Sequence, residues 1–166
     1  MQTRRLTRNA MLTGVALIIF TIEAQIPPLT SIPGIKMGLA NIITVYAAFA
    51  IGPADAAAIL AARILLGAII AGNMSTLMYS AAGGLLCLLA MLGLRRVLTA
   101  KQLWVASVVG AAAHNAGQIA VAIAVTGTPA LLAYLPVLLM SGMIAGLFTG
   151  LCAQALVNRM KGHTGA

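Results

Sequence analysis

The sequence predicts an all-α protein that crosses a membrane six times. Hydrophobic residues make up 61% of the chain and charged residues 7%, with a mean hydropathy of +1.05, which leaves too little polar surface for a water-soluble globule. The apolar runs are interrupted by proline, glycine and short basic clusters rather than by alternating polar residues, the pattern of helices and not of a barrel. Each run is long enough to cross a hydrocarbon layer of about 30 Å as a helix.

The first helix is predicted over about 9–26. The start MQTRRLTRNAMLTGVALIIFTIEAQ has the basic beginning and apolar middle of a secretory signal. No A-x-A-type cleavage site follows, and Glu23 interrupts the end, so the segment reads as a retained span. Next comes IPPLTSIPGIKMGLAN, residues 26–41, with three of the six prolines. Each proline removes a backbone donor and restricts the residue before it, so no continuous helix fits. Irregular backbone in so apolar a chain is tolerated where it is buried in protein or lines a watery cavity, which makes this stretch a candidate lid over a ligand, or else a plain external connection.

The second helix is predicted over about 36–51, ending at Gly52-Pro53, and the third over 53–71, broken by Gly72-Asn73. A fourth run, 75–97, ends in Arg95 and Arg96. The fifth spans about 103–125, and after the turn Gly127 to Pro129 the sixth spans 130–158. Residues 1–160 read as one six-helix domain and 161–166 as a polar tail.

Six spans place both ends on one side. Arg4, Arg5, Arg8, Arg95, Arg96, Lys101, Arg159 and Lys161 fall on that side, against Lys36 alone on the other, so both termini are expected to be cytoplasmic and the protein to lie in the bacterial inner membrane. Trp104, Tyr79 and Tyr134 sit at predicted helix ends, as an interfacial aromatic belt would. The net charge of +8 does not indicate nucleic acid, because the basic residues mark helix ends and lack interleaved aromatics. Cys87 and Cys152 lie inside apolar runs without metal-ligand spacing and read as small core residues.

Few polar residues lie at membrane depth. Asp55 follows Gly52-Pro53, where capping and the helix dipole explain a carboxylate. Glu23 has no such explanation and needs a partner, Lys36 or a ligand cation. Arg63 is expected near the bilayer midplane, where a charge costs at least a few kcal/mol and normally faces the bundle interior. His114 and Gln118 share one face of the fifth helix, with Asn115 beside them, and together offer donors and acceptors to a polar ligand or to neighbouring helices. The candidate substrate-binding set is therefore Glu23, Lys36, Asn41, Arg63, His114, Asn115 and Gln118. Gly142, Gly146 and Gly150, with Ala10 and Gly14, repeat at four-residue spacing, suited either to close helix packing or to a docking partner.

No phosphate-binding G-x-x-x-x-G-K-[ST] loop is present, so ATP-driven work would belong to another subunit. One Asp and one Glu cannot alone hold the magnesium ions of a prenyl diphosphate transferase. The chain reads as non-enzymatic, with no cofactor and no metal site.

Glu23, Pro27, the runs Pro33-Gly34-Ile35-Lys36 and Gly38-Leu39-Ala40-Asn41, Arg63, Ser80-x-x-Gly83 and His114-Asn115-x-x-Gln118 resemble the bacterial membrane family called heptaprenyl diphosphate synthase component I, also the Gx transporter family. The resemblance spans residues 10–158, and its PGIKxGLAN and HNxxQ pieces are fairly specific. That family is similar in turn to the six-helix substrate-binding S components of energy-coupling factor (ECF) transporters, which capture vitamins beneath the loop after their first helix. This resemblance implies capture of a small polar molecule, with a membrane T component and two cytoplasmic ATPases as partners. The family's other name implies a non-catalytic membrane partner of a prenyltransferase in quinone side-chain synthesis. A structural membrane subunit, whose polar residues only join helices, is the third reading.

Overall fold

A computed structural model describes residues 2–26, 38–99 and 102–163, with side chains as far as 159. Lys36, most of the proline-rich stretch, Lys101 and the last three residues of the polar tail lie outside the described residues. Six α-helices follow one another: α1 (Gln2–Glu23), α2 (Asn41–Tyr46), α3 (Pro53–Ala71), α4 (Met74–Leu94), α5 (Leu103–Thr126) and α6 (Leu135–His163). The α2 helix continues as a π-helical turn, Ala47–Ile51, and a 3₁₀ turn, Pro129–Tyr134, leads into α6.

The all-α expectation holds, but not as six equal spans. Among the described residues five helices are long and apolar enough to cross a membrane, whereas Asn41–Ile51 is not, and this is a multi-pass membrane protein with one short element. The 6 residues of α2 and the 5 of its π-helical turn rise about 16 Å, roughly half of a hydrocarbon layer. The expected start at 36 lies outside the described residues; α2 begins at Asn41, since Leu39 and Ala40 form a turn and Gly38 has a φ of +81°, open to a residue without Cβ. Other boundaries follow local chemistry. Pro53 opens α3, where its missing N–H costs nothing, and Gly72, left-handed at φ +63°, closes it. Asn73 then caps α4, its Oδ1 accepting from the Thr76 amide at 3.1 Å.

The bundle alternates in direction. Near the N-terminus α1 and α3 run in parallel, from Arg5 beside Asp55 to Phe20 packed over Gly67. The α4 and α5 helices are antiparallel, with Gly110 against Cys87 and Met91 and Gly117 against the Ala82 carbonyl. On α6 the glycine repeat faces α5. A Cβ at Gly146 would lie 2.8 Å from Ala111 Cβ, and one at Gly150 would lie 2.7 Å from both Trp104 Cα and Ser107 Cβ. Gly142 lies against the Asn115 side chain in the same way. Of the two roles open to Gly142, Gly146 and Gly150, close helix packing is the one for which this face is used inside the chain.

Two apolar clusters fill the end of the bundle that carries the basic residues. One joins Val45, Tyr46, Met91 and Leu103 with Ala153 and Val157 of α6, and the other gathers Ala47, Ala56, Ile59, Leu60 and Leu88. A third cluster, Tyr79, Ile119, Ala122 and Leu138, fills the opposite end. Tyr79 is therefore a core residue and not part of an aromatic belt, while Trp104 and Tyr134 are exposed as expected. Cys87 is buried, but Cys152 faces outward, against expectation. Large apolar side chains such as Ile69, Leu85, Ile144 and Phe148 point away from the bundle, as lipid-facing positions do.

Candidate functional site

The two acidic residues have different surroundings, and those of Asp55 differ from what the sequence led us to expect. Asp55 lies in the first turn of α3, as the helix dipole favours, but the partners of its carboxylate among the described residues come from α1. Its Oδ1 accepts from Arg5 Nε at 2.7 Å and Asn9 Nδ2 at 2.6 Å, and Arg8 Nη2 lies 3.4 Å from Oδ2. The carboxylate clasps α3 to α1 at the basic end. No sequence signal joins positions so far apart.

Glu23, at the other end of α1, is 4% exposed. Its Oε1 accepts from the Gly38 amide at 2.5 Å and its Oε2 from the Leu39 amide at 3.0 Å. These two N–H groups precede α2 and have no helical carbonyl to bond, so a carboxylate serves them as it serves a helix start. The pairing also ties together the two flanks of the proline-rich stretch.

From Gly38 the polar contacts run inward. A Cβ there would lie 2.8 Å from Asn41 Nδ2 and 3.1 Å from His114 Cδ2, so the bare backbone rests on both side chains. Arg63 Nη2 donates to Asn41 Oδ1 over a long 3.4 Å. The facing wall is the pair Gly83-Gly84 on α4. Gly83 leaves room for the Cε1 and Nδ1 edge of His114, at 2.8 Å from a Cβ placed there, whereas Gly84 leaves room for Leu60 and Ile64, whose Cδ1 atoms would lie 3.0 and 3.1 Å from its Cβ. Gly38 and Gly83 are site residues that reasoning from side-chain chemistry overlooks. Their only signal is their place in the GLAN run and beside Ser80.

The structure thus gathers Glu23, Asn41, Arg63 and His114 into one polar layer between the apolar clusters. Gln118, 1% exposed, follows His114 by one turn of α5. Asn115 turns to α6, where its Nδ2 donates to the Leu138 carbonyl. Of the remaining candidates, Lys36 lies outside the described residues. Ala10 and Gly14 line a groove of about 500 Å³ between α1 and α3, shared with Ala58 and Ala62, and a Cβ at Gly14 would meet nothing within 4 Å.

Hydrogen bonding in the layer is incomplete. Asn41 Nδ2, Arg63 Nε, Asn115 Oδ1 and Gln118 Oε1 are buried without a partner among the described residues. Most buried polar atoms in folded proteins are paired, so four orphans on three helices are unusual.

A family model for heptaprenyl diphosphate synthase component I matches residues 12–156. The chain belongs to that family. No curated protein and no solved structure matches it. As a component I family member, the chain carries its polar layer well inside the matched span, from Glu23 to Gln118. Among the described residues no three His, Cys, Asp or Glu side chains converge as a metal site would require.

Proposed function

We propose that this chain is a non-catalytic membrane subunit that binds a small polar molecule in the layer around Arg63. The observation that supports this is the set of buried, unpartnered atoms on Asn41, Arg63, Asn115 and Gln118. Side chains retained only to join helices would pair with one another, as Ser107 and Thr149 do at 3.1 Å between α5 and α6. A ligand entering the layer supplies the missing partners. With the basic end cytoplasmic, the Glu23 and Gly38 pairing would sit toward the outside, at the entrance.

Family membership favours one assignment of this subunit over the other. The family's name describes a component of heptaprenyl diphosphate synthase, and the chain would then be its membrane component, working with a soluble prenyltransferase in quinone side-chain synthesis. With Asp55 engaged by Arg5 and Asn9, and Glu23 by two amides, neither acidic residue is placed to carry catalytic magnesium. The second assignment is capture of a vitamin- or cofactor-precursor-like molecule for an ECF-type importer. Its support is the interior polar layer, together with the open groove at Ala10 and Gly14 against which a T component could pack.

Purification of the full chain from its producing cells in mild detergent, followed by mass spectrometry of the accompanying proteins, separates these assignments. A stoichiometric prenyltransferase supports the synthase component, and two ATPases with a membrane partner support the importer. Neither partner, together with full tolerance of Arg63→Leu in the cell, returns the chain to a structural role.

A further inference from the structure

The seam between α1 and α3 holds two adjoining hollows. One, of about 520 Å³, lies at the basic end and is lined by Gln2, Thr3, Arg5 and Asp55. The other is the groove of about 500 Å³ that continues past Ala10 and Gly14 to Leu17. Leu6, Asn9 and Ala58 line both, so the two form one channel that changes from charged to apolar along its length.

At the charged end Arg4, Arg5 and Arg8 stand against the single carboxylate of Asp55, since Glu23 lies at the far end of α1. Arg5 gives Asp55 only its Nε, its remaining N–H groups have no partner among the described residues, and its side chain is 57% exposed. A guanidinium fork of this kind suits a phosphate. Farther along, Thr13 turns its hydroxyl to the Asn9 carbonyl at 2.9 Å, so no side-chain donor is left free in the groove beyond Asn9. Exposed Met11 and Ile18 on α1, with Leu65 and Ile69 on α3, show that both helices face lipid. From Leu6 to Leu17 the helix rises about 16 Å, roughly half of a 30 Å hydrocarbon layer, which is the depth of one leaflet.

We propose that this channel binds one anionic phospholipid from the leaflet at the basic end. Its phosphate lies on the free N–H groups of Arg5, and one acyl chain lies along Ala10, Gly14 and Ala62. Charge selects this occupant over a neighbouring apolar helix, which would fill the groove but leave the surplus arginine charge unmatched. It also selects against a zwitterionic lipid, whose cationic headgroup would meet the same arginines. The site is separate from the layer around Arg63 and does not depend on what that layer holds.

The test uses the full chain, purified from its producing cells in mild detergent and then stripped of lipid. Phosphatidylglycerol, phosphatidylethanolamine and phosphatidylcholine with identical acyl chains are supplied in equal amounts, and native mass spectrometry counts what each chain retains. The expected result is one phosphatidylglycerol, held about fivefold or more over either zwitterionic lipid. Gly14→Leu puts its side chain into open space, so it should keep the wild-type melting temperature yet lose the retained lipid. Arg5→Gln should bring the three lipids toward equal retention. Equal retention by the wild-type chain overturns the proposal, because the lipids then form only an unselective annulus. Phosphatidylglycerol retained unaltered in both variants also overturns it, and places the anion at another basic cluster such as Arg95 and Arg96. A membrane protein that accompanies the wild-type chain and is lost from Gly14→Leu, with no lipid retained by either, gives the groove to a protein and overturns it likewise.

Discussion

The Glu23 carboxylate accepts a hydrogen bond from the Gly38 amide at 2.5 Å, across 15 positions of sequence. One acidic side chain at the end of α1 thus fixes where the chain re-enters the bundle, and through Gly38 it sets the seating of Asn41 and His114.

Replacing Glu23 by alanine leaves the Gly38 and Leu39 amides without their acceptor, at a cost of roughly 1–3 kcal/mol for each buried group. Hydrogen exchange should then rise in the peptide containing residues 38–41, while peptides from α4 and α5 keep their protection. Equal protection in wild type and variant would show that the carboxylate does not hold this segment.

Gly83→Ala places a methyl group 2.8 Å from the His114 ring, on a helix that cannot easily retreat. Overpacking of this kind costs about 1–3 kcal/mol, so the variant should melt several degrees lower in detergent. Gly14→Ala, whose new methyl meets nothing within 4 Å, is the matched control and should melt as wild type.

Gly150→Ala drives α6 away from α5, because the added carbon would lie 2.7 Å from backbone at Trp104. A loss of about 1–3 kcal/mol is expected here also, read as a lower midpoint of thermal unfolding. A wild-type midpoint would mean that the two helices are not packed as closely as described.

Gln118→Leu removes a buried acceptor that has no partner and substitutes a side chain of similar size. Deleting an orphaned polar group should leave stability unchanged or raise it by about 1 kcal/mol, whereas a residue that merely joins helices would lower it. Thermal melting distinguishes the two signs.

Asp55→Asn discharges the clasp between α1 and α3. Arg5 and Arg8 are about half exposed, with side-chain accessibilities of 57% and 47%, so salt screens their attraction. The melting temperature of the variant should fall below wild type at low ionic strength, and the gap should narrow as salt is added.

Much of this arrangement could be read in the residues. Arg63, His114, Asn115 and Gln118 stand out because a polar side chain in an apolar helix must face its own bundle, and all four are buried. The ends of α3 follow from Gly52-Pro53 and Gly72-Asn73, whose backbone limits act locally. What escaped the residues is partnership. Asp55 looked like a cap until Arg5 and Asn9 reached it from α1, and Tyr79 looked interfacial until Ile119 and Leu138 closed around it.

Composition and the order of apolar runs were sufficient to determine a helical membrane protein, since a backbone in lipid must satisfy its own hydrogen bonds within each segment. They also marked which side chains had to turn inward, because that cost is set by the residue and the solvent alone. Only the tertiary structure decided that α2 is half a layer long, that the glycines of α6 serve α5, and that Gly38 and Gly83 make room for His114. Those outcomes depend on which surfaces meet, and a glycine's missing Cβ matters only where another helix arrives to use the space.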